Sequence, residues 1–193
     1  IKVEPPSGCA SRHRGASDTD GTAFHWRAWG RGKRSVVLDL QTADGTDALH
    51  RLLASADILL ETATSAERTA WGINVDDVAD AYPRLVHVSI TPFGVTGPLA
   101  DAPATDMTLS AAGGFLNHQG DRDRPPLPIG FPETANHGAV QAAADAITAI
   151  YERERSGLGQ HLDTSMQAAV VGTLLWTASY AAVDRNPTFS GDD

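Results

Sequence analysis

The sequence is poor in cysteine: Cys9 stands alone among 193 residues. An intramolecular disulfide is therefore excluded, and the composition fits a reducing, cytoplasmic setting. Long apolar runs are lacking too. The best candidate, residues 168–183, is interrupted by Gly172, Thr173, Thr177 and Ser179, so no membrane span is predicted. Basic residues are outnumbered, 15 Lys and Arg against 24 Asp and Glu, for a net charge of -9. That balance argues against nonspecific nucleic-acid binding, which needs a cationic surplus. The opening residues, IKVEPPSG, carry neither a signal-peptide pattern nor an initiating methionine. They begin in mid-strand, which predicts a chain clipped at its front.

Several chemistry-bearing motifs are missing as well. No G-x-G-x-x-G opens a helix after a strand, so the dinucleotide fingerprint is absent. The nucleophile elbow G-x-S-x-G does not occur. His13, His25, His50, His87, His118, His137 and His161 are dispersed without ligand spacing to Cys, Asp or Glu, so no metal site is predicted. His87 alternates with apolar residues and reads as a satisfied structural histidine. Asp121 and Asp123 read as solvated loop carboxylates.

What is present is ordinary globular material, 41% hydrophobic and 20% charged, enough for one domain spanning residues 1–193. Lys2 to Glu4 ends a strand at Pro5 and Pro6. Residues 7–31 show no period and predict loop. Ser35 to Leu40 is a β-branched run suited to a buried strand. Behind a Thr42 cap, Ala48, Leu49, Leu52, Leu53 and Ala56 make a helical stripe. Strands follow at 57–61 and 85–90, separated by a short helix from Val75 to Tyr82. A Gly/Pro loop leads to a helix near 106–117, then a polar loop and a long helix from about Glu133 to Arg155. There Val140, Ala143, Ala144, Ile147 and Tyr151 predict the buried face, and Gly157 the stop. A strand at 160–164 and a final apolar helix close the pattern. Strand and helix in alternation predict an α/β fold with a parallel sheet and right-handed crossovers.

One basic cluster stands out of this acidic chain: RGKR, Arg31 to Arg34. It is not a P-loop, because Arg34 sits where Ser or Thr is needed and the cluster precedes a strand. Two uses stay open, a solvated loop or a contact for the phosphates of a nucleotide-like cofactor.

Three strings, GRGKRSVVLDL (30–40), HVSITPFGVTGP (87–98) and YERERSGLGQHLDTSM (151–166), together resemble the class III CoA-transferases. These are the formyl-CoA and carnitine-CoA transferases, with the methylacyl-CoA racemases as cousins. The order and spacing of the strings agree with that family along nearly the whole chain. The resemblance implies a Rossmann-like large domain with parallel strands flanked by helices. It implies coenzyme A or acyl-CoA as substrate with a carboxylate acceptor, and no metal. The assembly it implies is an interlocked homodimer or a tandem partner domain. Compared with the family, the sequence lacks the first strand and helix and stops near the first linker, before the small domain. Apolar helix faces around Leu174, Leu175 and Trp176 should then be exposed.

Residue by residue, the resemblance places Lys33, Arg34 and the Leu38 backbone at the adenine end of CoA. Gln41 stands where relatives carry lysine. After the second strand, Thr62 and Ala63 replace the family's Asn-Phe, and Ala70 replaces an arginine. The nucleophilic aspartate falls on Ala135, which cannot form an anhydride. The racemase base falls on Thr105, which cannot relay the proton. The expectation is the non-catalytic half of a larger or tandem acyl-CoA transferase. Two alternatives stay open: a dead scaffold for dimerisation or CoA sensing, and an active transferase whose nucleophile has moved to Glu133. His137 is expected to cap or pack.

Overall fold

Every strand pair is parallel in the computed structural model, which describes residues 1–121 and 123–175. The chain gathers into two compact units: Ile1–Ser55 with Ala70–Gly72, and Ala56–Thr69 with the residues from Ile73 onward. The α/β class and the parallel pairing agree with the sequence. Among the described residues the strands form two sheets, one of two strands and one of three.

In the first unit β1 (Lys2–Glu4) pairs with β2 (Ser35–Val37), and the Leu38 N–H extends the ladder to the Glu4 carbonyl at 2.9 Å. The expected buried strand is corrected here. β2 is three residues long and Val37 is 59% exposed, because a two-stranded sheet gives it a single neighbour. Residues 7–31 are not all loop. They hold a 3-10 turn at Ala10–Arg12 and α1 at Phe24–Trp29. No period announces α1. Its Trp26 ring lies beneath two cations, Lys2 Nζ at 4.4 Å and the Arg12 guanidinium at 4.1 Å. α2 (Ala43–Leu53) starts as expected, Thr42 Oγ1 accepting the Gly45 N–H at 3.1 Å. It buries Leu49 and Leu53, whereas Ala56 lies past its end and is exposed.

The second unit carries β3 (Ile58–Glu61), α3 (Ser65–Ala70), α4 (Val75–Ala81) and β4 (Val86–Thr91). Then follow α5 (Asp106–Ala112), α6 (Glu133–Ser156), β5 (His161–Ser165) and α7 (Met166–Thr173). The helix expected over 106–117 is broken: Gly114, at φ +83°, ends α5 before a 3-10 turn at Phe115–His118. β4 lies between β3 and β5 and is buried throughout. One face of it, Val86, Val88 and Ile90, packs on Ala142, Ala146 and Ala149 of α6, forming the core with Ile150, Leu162 and Met166. Its other face is polar. The register sets Leu59, His87 and His161 in one row and Glu61, Ser89 and Asp163 in the next.

The expected buried face of α6 is overturned. Val140, Ile147 and Tyr151 are 72%, 71% and 71% exposed, and Ala143 and Ala144 are exposed with them. The buried stripe is Thr134, Gly138, Ala142, Ala146, Ala149 and Arg153. Small residues let the helix lie close on the sheet. A Cβ at Gly138 would come 3.0 Å from Met166 Cγ. Two faces of α6 have apolar residues at helical spacing, and periodicity cannot say which meets the sheet. Gly157 stops α6 in the left-handed conformation, φ +82°, as expected. Leu175 is exposed and Leu174 half-buried, while Trp176 lies outside the described residues.

Candidate functional site

In the first unit the basic cluster is a turn between α1 and β2. Gly32, at φ +77°, lets it reverse, and the Lys33 N–H donates to the Gly30 carbonyl at 3.1 Å. Lys33 Nζ folds back to donate to the Trp29 carbonyl. Arg31 and Arg34 are exposed and hold no ion pair among the described residues. Leu38 and the exposed Gln41 lie past the other end of β2, where the Gln41 N–H donates to Asp39 Oδ1 at 3.1 Å. Lys33 and Arg34 are thus separated from Leu38 by the length of β2, roughly 13–17 Å at strand rise.

In the second unit the turn after β3 is gripped at three successive residues, Ala63 to Ser65. Glu61 Oε2 accepts the Ala63 N–H, and Arg68 Nη1 donates to the Ala63 carbonyl at 2.7 Å. Glu67 Oε2 accepts from Thr64 N–H at 2.8 Å and its Oγ1 at 2.9 Å. Asp101 accepts from Ser65 N–H at 3.2 Å and its Oγ at 2.7 Å. Behind this turn His87, only 2% exposed, lies with Nε2 3.5 Å from Glu61 Oε1. Neither of its ring nitrogens is hydrogen-bonded, so the expectation of a satisfied histidine is corrected. The sheet register forces it in beside Glu61 and His161.

At the start of α6 the N-cap Pro132 has no capping side chain. Asp106, from the start of α5, takes that role across 28 residues: its Oδ1 accepts the Thr134 N–H at 2.8 Å and the Thr134 Oγ1–H at 2.7 Å. Thr105 caps α5 in a capping box with Thr108. Ala135 is exposed in the first turn. Glu133 faces a cleft of about 730 Å³ along α6 and α7, shared with Asn136, His137, Asp163 and Thr164. Its Oε2 is buried there without a hydrogen bond, and Ala135 is outside that lining. His137 packs, with Nδ1 3.0 Å from the Glu133 carbonyl and its ring 6.1 Å from Phe115. Among the described residues no three His, Cys, Asp or Glu side chains are grouped to hold a metal, and no helix is long and apolar enough to cross a membrane.

The profile of CoA-transferase family III matches residues 1–192. The chain belongs to CoA-transferase family III. It is similar to the succinyl-CoA–D-citramalate CoA-transferase of Chloroflexus aurantiacus, 32% identical over 90% of this chain and 44% of that protein. It is 30% identical to the formyl-CoA:oxalate CoA-transferase of Streptomyces avermitilis, over 89% of this chain and 42% of that one. A probable CoA-transferase of Mycobacterium tuberculosis is 35% identical over 90% of this chain, yet the match spans 22% of it. That relative is about twice as long as the others. Among solved structures, a CaiB/BaiF family protein from Brucella suis superposes with a TM-score of 0.91 at 31% identity, over 98% of this chain and 51% of that one. The chain spans less than half the length of the curated relatives it matches.

Within this family III chain the sequence missed Asp106 and Arg68 as organising residues. Asp106 carries a detectable signal, an acid at the first position of a helix. Arg68 carries none, since a buried arginine in a six-residue helix looks like a surface residue until its partners are placed.

Proposed function

We propose that this chain is a class III acyl-CoA-transferase domain, acting on CoA thioesters and carboxylic acids and supplying the non-catalytic half of a larger or tandem enzyme. The observation that carries this reading is Ala135 at the exposed first turn of α6, in a chain that matches the family over residues 1–192. By the resemblance, an aspartate there attacks the thioester carbonyl, expels the CoA thiolate and keeps the acyl group as a mixed anhydride. Alanine offers no oxygen. The double length of the Mycobacterium tuberculosis relative supports a tandem arrangement with the carboxylate in another copy. We read the sheet as part of a Rossmann-like large domain and the setting as cytoplasmic, in keeping with the single cysteine.

CoA binding is the direct test. The exposed Arg34 and neighbouring Lys33 are expected to meet CoA phosphates. Replacing both with alanine should weaken CoA by about tenfold or more, since a hydrogen bond to a charged group contributes roughly 1.5–3 kcal/mol. Calorimetry showing no heat with CoA, or equal affinity in the double variant, would count against this site.

Assembly is a second consequence. Val140, Ile147 and Tyr151 recur on one exposed face of α6, a stripe of large apolar side chains. We read it as covered by a second copy or a tandem partner domain. Ile147→Asp with Tyr151→Asp should turn an associating chain into a monomer in sedimentation while leaving its circular dichroism unchanged. An unmodified chain that sediments as a monomer at micromolar concentration would refute this.

A further inference from the structure

The polar face of the three-stranded sheet holds a buried charge cluster whose partners come from four elements. Glu61, at the end of β3, is 8% exposed, and its Oε1 lies 3.7 Å from Arg68 Nη1 and 3.5 Å from His87 Nε2. Its other oxygen accepts the Ala63 N–H, while the same Arg68 Nη1 donates to the Ala63 carbonyl at 2.7 Å. One residue is therefore held at both its backbone groups by an oppositely charged pair. The His87 ring meets the His161 ring edge-on, centroids 4.9 Å apart, and His161 Nε2 lies 2.9 Å from Ser89 Oγ. A cavity of about 220 Å³, walled by Val75, Val78, Tyr82 and Leu158, reaches both rings. The titratable and charged groups facing the cluster are Glu61, Arg68, His87, His161, Asp163 and, across the cavity, Tyr82.

We propose that Glu61, Arg68 and His87 are positioning residues that fix the Ala63 peptide and the turn around it, and that His161, packed edge-on against His87, releases this turn in acid. The importance for CoA rests on the family reading, in which this turn contacts the cofactor. With Thr62 and Ala63 offering small side chains, the turn contributes mainly its backbone, and backbone position is what the cluster controls.

The direction of the acid effect follows from charge. Burial, then the neighbouring His87, holds the His161 imidazole below its ordinary value. The fold thus favours its neutral form, and that contribution fades as pH falls below the free imidazole value of about 6.5. Burial pushes the Glu61 carboxyl up, but the neighbouring His87 and Ser89 side chains, the hydrogen bond from the Ala63 amide and the Arg68 charge outweigh it and hold it below the ordinary range. Glu61 therefore keeps its charge while His161 takes up a proton, and the first loss in acid is at His161. A proton on His161 sets a buried cation edge-on to the His87 ring and beside the Arg68 charge, and opening the turn relieves it.

The test is residue-resolved amide exchange at Ala63 and Thr64 of the full chain, corrected for intrinsic rates, with CoA calorimetry in parallel from pH 7.5 to 5. Protection at Ala63 should fall about tenfold or more across that range, and CoA affinity should fall with it. Glu61→Gln should lose that protection already at pH 7.5 and flatten the profile. His161→Gln, which keeps a partner for Ser89, should move the release to lower pH. Arg68→Lys keeps the charge but not the placement of Nη1 on the Ala63 carbonyl, and should lower protection more at Ala63 than at Thr64. Unchanged protection in Glu61→Gln, or a flat profile in the unmodified chain, would overturn the proposal. If Ala63 responds as stated and CoA gives no heat at any pH, the clamp stands and the CoA reading falls.

Discussion

Replacing Glu4 with alanine should unfold the first unit at neutral pH or leave it barely stable. Glu4 is 1% exposed and accepts hydrogen bonds from Arg12 Nε at 2.7 Å, Arg12 Nη2 at 2.8 Å, the Cys9 N–H at 3.1 Å and the Ser35 hydroxyl. It ties β1, the 3-10 turn and β2 together, and Arg12 in turn lies against Trp26. Removing one partner of a buried, hydrogen-bonded ion pair costs about 3–5 kcal/mol, a large share of a small unit's stability. The same residue sets an acid limit. The Arg12 side chain, with Ser35 and the Cys9 amide, brings Glu4 down to about 2 against the pull of burial. A depressed carboxylate stabilises the fold fully above its unfolded value near 4.5, and the stabilisation disappears as pH falls through about 2. Its size is on the order of 3 kcal/mol. Urea titrations at pH 7 and pH 3 should show part of this loss, and Glu4→Gln should lose less stability between the two than the unmodified chain does. A variant with wild-type stability at pH 7 would refute the account.

The sequence showed where elements lie better than which side each one buries. Thr42 as a cap and Gly157 as a stop were legible because capping depends on local chemistry. The buried face of α6 was misread because the large side chains Val140, Ile147 and Tyr151 suggested a core. The sheet instead takes the alanine stripe, whose advantage is close approach, a property visible only once β4 is in place. Helix α1 was invisible for a related reason. Its anchor is Trp26 between cations 24 and 14 positions upstream, Lys2 and Arg12, and no period records such a contact. The cluster at Glu61 combines residues from 61 to 161, brought together by parallel register and by the turn that leads from β3 into α3. Its one sequence trace was His87 alternating with valine, which shows the residue faces away from α6 without naming its neighbours. The basic turn at Lys33 and Arg34 was readable as charge, and the structure adds that Arg34 remains unpaired among the described residues.

Catalytic silence is the remaining large expectation, and Ala135 is its cause. Incubation with acyl-CoA and hydroxylamine should leave no hydroxamate on any carboxylate of the unmodified chain, by mass spectrometry. Losing a covalent nucleophile removes the step that divides the reaction, a loss of several orders of magnitude. Ala135→Asp should be tolerated. The position is exposed in the first turn of a 24-residue helix, where a carboxylate gains about 0.3–1 kcal/mol from the helix dipole and free N–H groups. It should still restore little turnover, because on the proposed reading Thr62, Ala63 and Ala70 would offer CoA fewer contacts than the residues the family carries there. Glu133 tests the argument from the other side. Its Oε2 is buried and unpartnered in the cleft along α6, on a face that does not include Ala135. Two residues along a helix are roughly 200° apart, so a carboxylate at one position does not stand in for the other. A hydroxamate found on Glu133 of the unmodified chain would replace the silent half with a working enzyme whose nucleophile has moved.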